Sequence, residues 1–201
     1  MVMTVLTVVA ILSGCIGGGG PTPVTEQYVI EYPPSVYESL SAIDESITVA
    51  RFSVARHLNC RSMFYKPAPF KREAYNYHYW RTNPGDMLTD CLLRDLRVSG
   101  MFRAVFSCYN YENARFLLEG YVEAFTGLYE ENPGKALLRL NITLVDRESE
   151  NLISGVLFQK NYQTSETLES RTPGGLARGM SKAVSSLSGE IIKDIYKAIE
   201  K

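Results

Sequence analysis

Lys71-Arg72-Glu73-Ala74-Tyr75-Asn76-Tyr77-His78-Tyr79-Trp80, followed two residues later by Asn83-Pro84-Gly85-Asp86-Met87-Leu88, is the stretch whose reading decides the fold. Its first half is aromatic and alternating, which predicts a strand over 71–80. In a regular strand Tyr75, Tyr77 and Tyr79 share one face, and Asn76, His78 and Trp80 the other. Its second half announces a helix, because Asn can cap the first free N–H groups and Pro fits the first helical position. Met87, Leu88, Cys91, Leu92 and Leu96 then fall at i, i+3 and i+4 spacing, and Gly100 is placed to end the helix.

Outward from this strand and helix, the same rules predict the remaining elements. Gln27–Tyr32, Ile47–Val54 and Arg61–Lys66 read as strands, the first ending at Pro33-Pro34 and the third before Pro67 and Pro69. Val105 and Phe106 suggest a short strand. Arg115–Gly127, Lys135–Asp146 and Leu152–Gln163 read as three long antiparallel strands, the first two joined by Glu131-Asn132-Pro133-Gly134. Leu176, Met180, Ala183, Val184, Leu187, Ile191 and Ile195 mark a long amphipathic helix. The expected fold is α+β: one domain, an antiparallel β-sheet with two amphipathic helices packed on one face.

Composition narrows the functions. Of 201 residues, 45% are hydrophobic, enough to fill a core. Lys and Arg number 21 against 22 Asp and Glu, so a nucleic-acid partner is not expected for want of a basic surplus. Two His and four Cys offer little for a metal site, and 13 Tyr against eight Phe and one Trp make tyrosine the abundant aromatic.

Val2–Leu12 is apolar apart from Thr4 and Thr7, too short for a bilayer core, which needs about 20 residues. It ends in Leu12-Ser13-Gly14-Cys15, which resembles a bacterial lipobox after a signal sequence. The expectation is a signal peptide over 1–14, a lipidated Cys15, a Gly/Pro tether over 15–25 and a folded domain over 26–201. Two or more acyl chains hold a protein stably on a membrane, whereas one does so marginally. At about 3.3 Å per residue, 16–25 reach at most roughly 33 Å, so the domain works close to its membrane. With Cys15 acylated, three cysteines remain. Cys91 belongs to the apolar helix stripe, which leaves Cys60 and Cys108 as the candidate disulfide pair.

No constellation carries chemistry. His57 and His78 stand in no nucleophile motif, and neither G-x-S-x-G, H-E-x-x-H nor CxxC occurs. Thr172-Pro173-Gly174-Gly175 is explained by helix initiation, and Asn141-Ile142-Thr143 is a chance sequon inside a strand. No catalytic residue, metal ligand or cofactor is expected. Tyr75, Tyr77, Tyr79 and Trp80 are the candidate partner-binding residues, since Tyr joins an apolar body to a polar tip; ordinary packing of a half-buried strand is the alternative.

Tyr77-His78-Tyr79-Trp80, then Pro84, Met87-Leu88, the stripe through Leu92 and Leu96, and Ser99-Gly100-Met101-Phe102 ending at Val105, resemble the ABC-type transport auxiliary lipoprotein family, paraquat-inducible protein C type. Leu118-Glu119-Gly120-Tyr121-Val122, Phe125, Leu144-Val145-Asp146 and Phe158 match its later strands in order. The resemblance spans 28–199. It implies a non-catalytic lipoprotein serving a permease, an ATPase and a periplasmic protein of the mammalian-cell-entry type, which together move lipids or other hydrophobic compounds between membranes. It also implies a periplasm-facing position, at the outer membrane because Ile16 is not the Asp that retains lipoproteins at the inner one. Homo-oligomer formation stays open. The other readings are an outer-membrane assembly scaffold, as for lipopolysaccharide or secretins, and a lipid carrier, which requires a closed apolar pocket of a few hundred Å³.

Overall fold

The computed structural model describes residues 23–35, 37, 41–108 and 114–200. Cys15 and the tether through residue 22 lie outside these. Among the described residues nine strands occur: β1 (Glu26–Tyr28), β2 (Ile43–Val49), β3 (Ser53–Val54), β4 (Ser62–Ala68), β5 (Lys71–Trp80), β6 (Phe102–Ser107), β7 (Phe116–Leu128), β8 (Lys135–Asp146) and β9 (Val156–Thr167). Three helices join them: α1 (Pro84–Ser99), the single turn α2 (Leu152–Gly155) and α3 (Pro173–Ile199).

β7 is the spine of one curled sheet. Along one edge it pairs antiparallel with β8, from Phe116 opposite Asp146 to Leu128 opposite Lys135, and β8 pairs antiparallel with β9. Along its other edge three short strands lie end to end, all parallel to it. Ile47 of β2 meets Phe116, Ser53 of β3 meets Tyr121, and Tyr65 of β4 meets Gly127. From there the sheet forks, β2 carrying β6 outward while β4 carries β5 and then β1. The α+β class and the single domain stand as expected, but the sheet is mixed and not wholly antiparallel. The meander β7–β8–β9 and the β4–β5 hairpin are antiparallel, as local turns dictate. The parallel pairs join segments remote in sequence, and no turn announces them.

The core lies between this sheet and the helices. β8 alternates cleanly, with Leu138, Leu140, Ile142 and Leu144 buried. Met87, Leu88, Leu92 and Leu96 from α1 and Leu176, Met180, Val184, Leu187 and Ile191 from α3 close over them. Each such side chain contributes roughly 1.5–3 kcal/mol on burial. Both helix starts follow their sequence signals. The Asn83 side chain accepts from the Asp86 N–H at 3.1 Å, and Thr172 Oγ1 accepts from the Gly175 N–H at 3.1 Å. Gly100, with φ +63°, ends α1 in the left-handed conformation.

Other boundaries differ from expectation. The segment 47–54 is two strands separated by a break at 50–52, and Phe52 uses that break to lay its ring over Gly120, where a Cβ would come within 2.5 Å of it. The first strand ends at Tyr28, because the following residues turn to pack on the helices. Asn151 caps one helical turn before β9, accepting from the Ser154 N–H at 2.9 Å. Among the described residues no helix is long and apolar enough to cross a membrane.

Candidate tyrosine-lined docking surface

Tyr75, Tyr77 and Tyr79 do not share a face. Tyr77 has φ +63°, a left-handed conformation uncommon for a bulky residue, and the β4–β5 register slips between the Ser62–Tyr79 and Phe64–Ala74 pairs. The bulge breaks the period of two. Tyr75 turns instead to the side of His78, and Tyr77 points outward, 49% exposed.

Trp80 is corrected more firmly. At 1% exposure it is part of the core, packed edge-on against Phe125 with ring centroids 5.0 Å apart, so it offers no contact to a partner. The expected Cys60–Cys108 disulfide is absent from the structure, where both residues are exposed free thiols and Cys91 is a buried one. The reason is topological. Cys60 precedes β4 on one branch of the fork, whereas Cys108 follows β6 on the other.

The structure gathers tyrosines that the sequence scatters. The rings of Tyr65 and Tyr129 stack at 4.9 Å, and Tyr75 tilts onto Tyr65 at 4.8 Å. The Tyr75 and Tyr129 hydroxyls lie 2.6 Å apart, and Tyr75 also donates to the Arg171 carbonyl at 3.2 Å. Tyr65 donates to Glu73 at 2.7 Å. Across His78, Tyr28 donates to Glu26 at 2.5 Å and lies 3.3 Å from His78 Nδ1. Burial, then the neighbouring Glu26 carboxylate, pushes the Tyr28 phenol up to about 12. Burial likewise raises Tyr75 and Tyr129. These hydroxyls therefore stay protonated and act as hydrogen-bond donors throughout the physiological range.

Beyond Tyr28 the cluster opens into a groove of about 780 Å³ between residues 27–33 and α3. Its helix side is built from small residues, Gly174, Ala177, Ser181 and Ser185, with Arg178 and Lys182 beside them. Both cations pair with Glu169, at 3.2 and 3.3 Å. Its other wall is held by a buried carboxylate. Asp95, 3% exposed, accepts from Tyr32 at 2.6 Å, from Ser188 at 2.5 Å and from Arg94 Nε at 2.9 Å. The Arg94 guanidinium lies 4.4 Å from the Tyr32 ring centroid. One carboxylate thus clasps the N-terminal segment, α1 and α3 together. No sequence motif marks Asp95; its only signal is an acid interrupting an apolar helix stripe.

Between the sheet and the two long helices the described residues pack closely. The space lined by Phe52, Leu92, Leu138, Val184 and Ile191 amounts to about 10 Å³, hardly a water molecule. That space is far smaller than the few hundred Å³ of a closed lipid pocket. Among the described residues no group of three or more His, Cys, Asp or Glu converges to hold a metal ion. His57 and His78 sit in separate settings, His78 beside Glu26 at 3.3 Å and His57 facing Arg72 and Lys66, with burial and then those charges lowering its pKa.

Fold and surface together define a mixed-sheet α+β domain whose large concavity lies outside its core, along a tyrosine-rich wall. Residues 28–192 match the model of the ABC-type transport auxiliary lipoprotein component, and the chain belongs to that family. It is therefore an auxiliary lipoprotein of ABC-type transport, a protein of the bacterial cell envelope. Solved structures share the fold. Protein XCC0632 from Xanthomonas campestris aligns at TM-score 0.77 and 18% identity, covering 87% of this chain and 96% of that one. An uncharacterized protein aligns at 0.65 and 11%, covering 86% and 99%. The hypothetical protein CT253 from Chlamydia trachomatis aligns at 0.53 and 9%, covering 78% and 98%. No curated protein matches the chain.

Proposed function

We propose that this protein is a non-catalytic accessory subunit that docks the periplasmic, mammalian-cell-entry type component of an intermembrane lipid transporter at the membrane. Cys15 carries the lipid, and the membrane is the outer one. The observation that carries this reading is the combination of family membership with a filled interior and a half-exposed tyrosine wall. Such a domain offers a surface and no enclosed reaction site. Tyr77 at 49% exposure is its most accessible tyrosine, and the Tyr28–His78 edge leads from it to the groove beside α3. Tyr and Arg are the residue types that dominate interface energetics.

The test is photo-crosslinking in envelopes from a probe placed at Tyr77 or Tyr79, with the exposed Tyr121 on the spine strand β7 as the comparison. A crosslinked mammalian-cell-entry protein at the first positions, with permease and ATPase co-purifying, supports the proposal. Capture of a lipopolysaccharide-assembly or secretin component in its place overturns it in favour of a scaffold.

A further inference from the structure

Two non-glycine residues among those described have positive φ, and both are exposed aromatics of the same hairpin: Tyr77, and Phe70 at φ +61°. Phe70 forms with Pro69 the two-residue turn between β4 and β5 and is fully exposed, at 110%. A positive φ in such a turn suits Gly or Asn and is unfavourable for a bulky side chain. Nothing in the fold is gained by a phenyl ring there. The ring sits in water at a conformational cost, at the tip of a hairpin held by Pro67 and Pro69.

The surroundings of the tip are cationic. Residues 66–73 hold Lys66, Lys71 and Arg72 against the single acid Glu73. Lys71 pairs with Glu73 at 2.6 Å, and the Arg72 guanidinium lies 4.6 Å from the Phe64 ring centroid, leaving Lys66 and Arg72 as net charge.

The register of β1 gives the direction in which this tip points. β1 runs parallel to β5, with Glu26 opposite His78 and Tyr28 opposite Trp80. The N-terminal end of β1 therefore points toward the Lys71 end of β5 and the turn. Phe70 stands eight residues before His78, roughly 26 Å of strand. Cys15 stands eleven residues before Glu26, at most roughly 36 Å of extended chain. An anchor at Cys15 is thus within reach of a membrane that the hairpin tip touches, since the contour length of the intervening chain exceeds the distance from His78 to the tip.

We infer that the β4–β5 hairpin tip is a second membrane contact, in which Phe70 enters the headgroup–acyl boundary while Lys66 and Arg72 face anionic phospholipid headgroups. The inference rests on the lipidation of Cys15 proposed above. An aromatic ring between cations is suited to that interface, where apolar burial and attraction to anionic lipid add. The contact fixes the tilt of a domain that a single lipid anchor leaves free to swing.

The test uses the full lipidated chain with Phe70→Trp, bound to phosphatidylethanolamine–phosphatidylglycerol vesicles whose acyl chains are brominated. Trp80, being buried, is the internal reference. The expected result is a blue-shifted emission that brominated lipid quenches, against little quenching of the wild type. In the acyl-free Cys15→Ala background, Phe70→Ser is expected to weaken partition into these vesicles about tenfold, and Arg72→Glu to weaken it only where phosphatidylglycerol is present. Flotation with vesicles reports the anchor independently. If lipidation fails, the acyl-free Phe70→Trp chain at high lipid still shows quenching when the inference is right. Water-like, unquenched emission in both forms overturns it. A blue shift that needs the periplasmic partner and is insensitive to brominated lipid also overturns it, because the tip is then a protein contact.

Discussion

Tyr75 and His78 lie on the same side of β5, with ring centroids 6.1 Å apart at a nearly perpendicular 79°, although residues three apart in a regular strand face opposite ways. The left-handed backbone at Tyr77 produces this relationship. A left-handed L-residue costs about 1–2 kcal/mol, which glycine avoids at the expense of a larger unfolded-state entropy. Tyr77→Gly is therefore expected to stay within about 1 kcal/mol of wild type in urea unfolding, while Tyr77→Val loses about 1–2 kcal/mol. Equal losses for both would show that the side chain, and not the backbone, matters there.

Asp95 is the most consequential polar residue of the body. Asp95→Ala leaves Tyr32, Ser188 and Arg94 without their shared acceptor, and an unsatisfied buried hydroxyl costs roughly 1–3 kcal/mol. Tyr32→Phe, removing one donor, is expected to cost about 1–2 kcal/mol. The double variant should lose less than the sum, since the two changes break one interaction. Strict additivity in denaturant unfolding would contradict the clasp.

Stability should fall on acidification through Asp146. Its carboxylate accepts from Arg115 at 2.9 and 3.2 Å, which holds its pKa below the usual value. A depressed carboxylate contributes stability above its unfolded pKa of about 3.9 and loses it as pH falls through the folded value. Arg115→Met is thus expected to be less stable than wild type at pH 6, with the gap closing toward pH 2. A gap that stays constant in chemical unfolding at both pH values would assign the role of Arg115 to its packing over the Phe116 ring and not to its carboxylate partners.

The thiols separate by position. Burial pushes Cys91 up to about 11, while Cys60 and Cys108 are exposed. Brief alkylation of the folded protein at pH 8 is expected to modify Cys60 and Cys108, and Cys91 only after unfolding. Intact mass and peptide mapping read the result. Protection of Cys60 and Cys108 without reductant, lifted by it, would show that the two branches do come together.

Local elements were legible because local chemistry specifies them. Lys71–Trp80, the Asn83-capped helix and Lys135–Asp146 follow directly from alternation, a cap and a turn. Pairing was not legible, because β2, β3 and β4 meet β7 through contacts that leave no turn between them. The tyrosine cluster was half legible. Tyr75 belongs to it while one backbone angle turns Tyr77 outward, and Tyr28, Tyr65 and Tyr129 join only through the fold. Trp80 was misassigned because an aromatic at a strand end looks alike whether it covers a core or faces a partner. Phe70 carries no signal in the sequence, since its turn is set by Pro69 and its exposure by no pattern.

The spine arrangement also sets an order of assembly. Every pairing of β2, β3 and β4 with β7 closes a loop of at least 62 residues, the shortest joining Tyr65 to Gly127, whereas β7, β8 and β9 meet across short connections. Loop closure is entropically cheaper for the latter, and contacts of high sequence separation slow folding. During synthesis the two branches, β4–β5–β1 and β2–β6, therefore await the spine strand, which emerges only after residue 116. The meander and α3 form the template on which that earlier half condenses, and a chain truncated before β7 has no sheet to join.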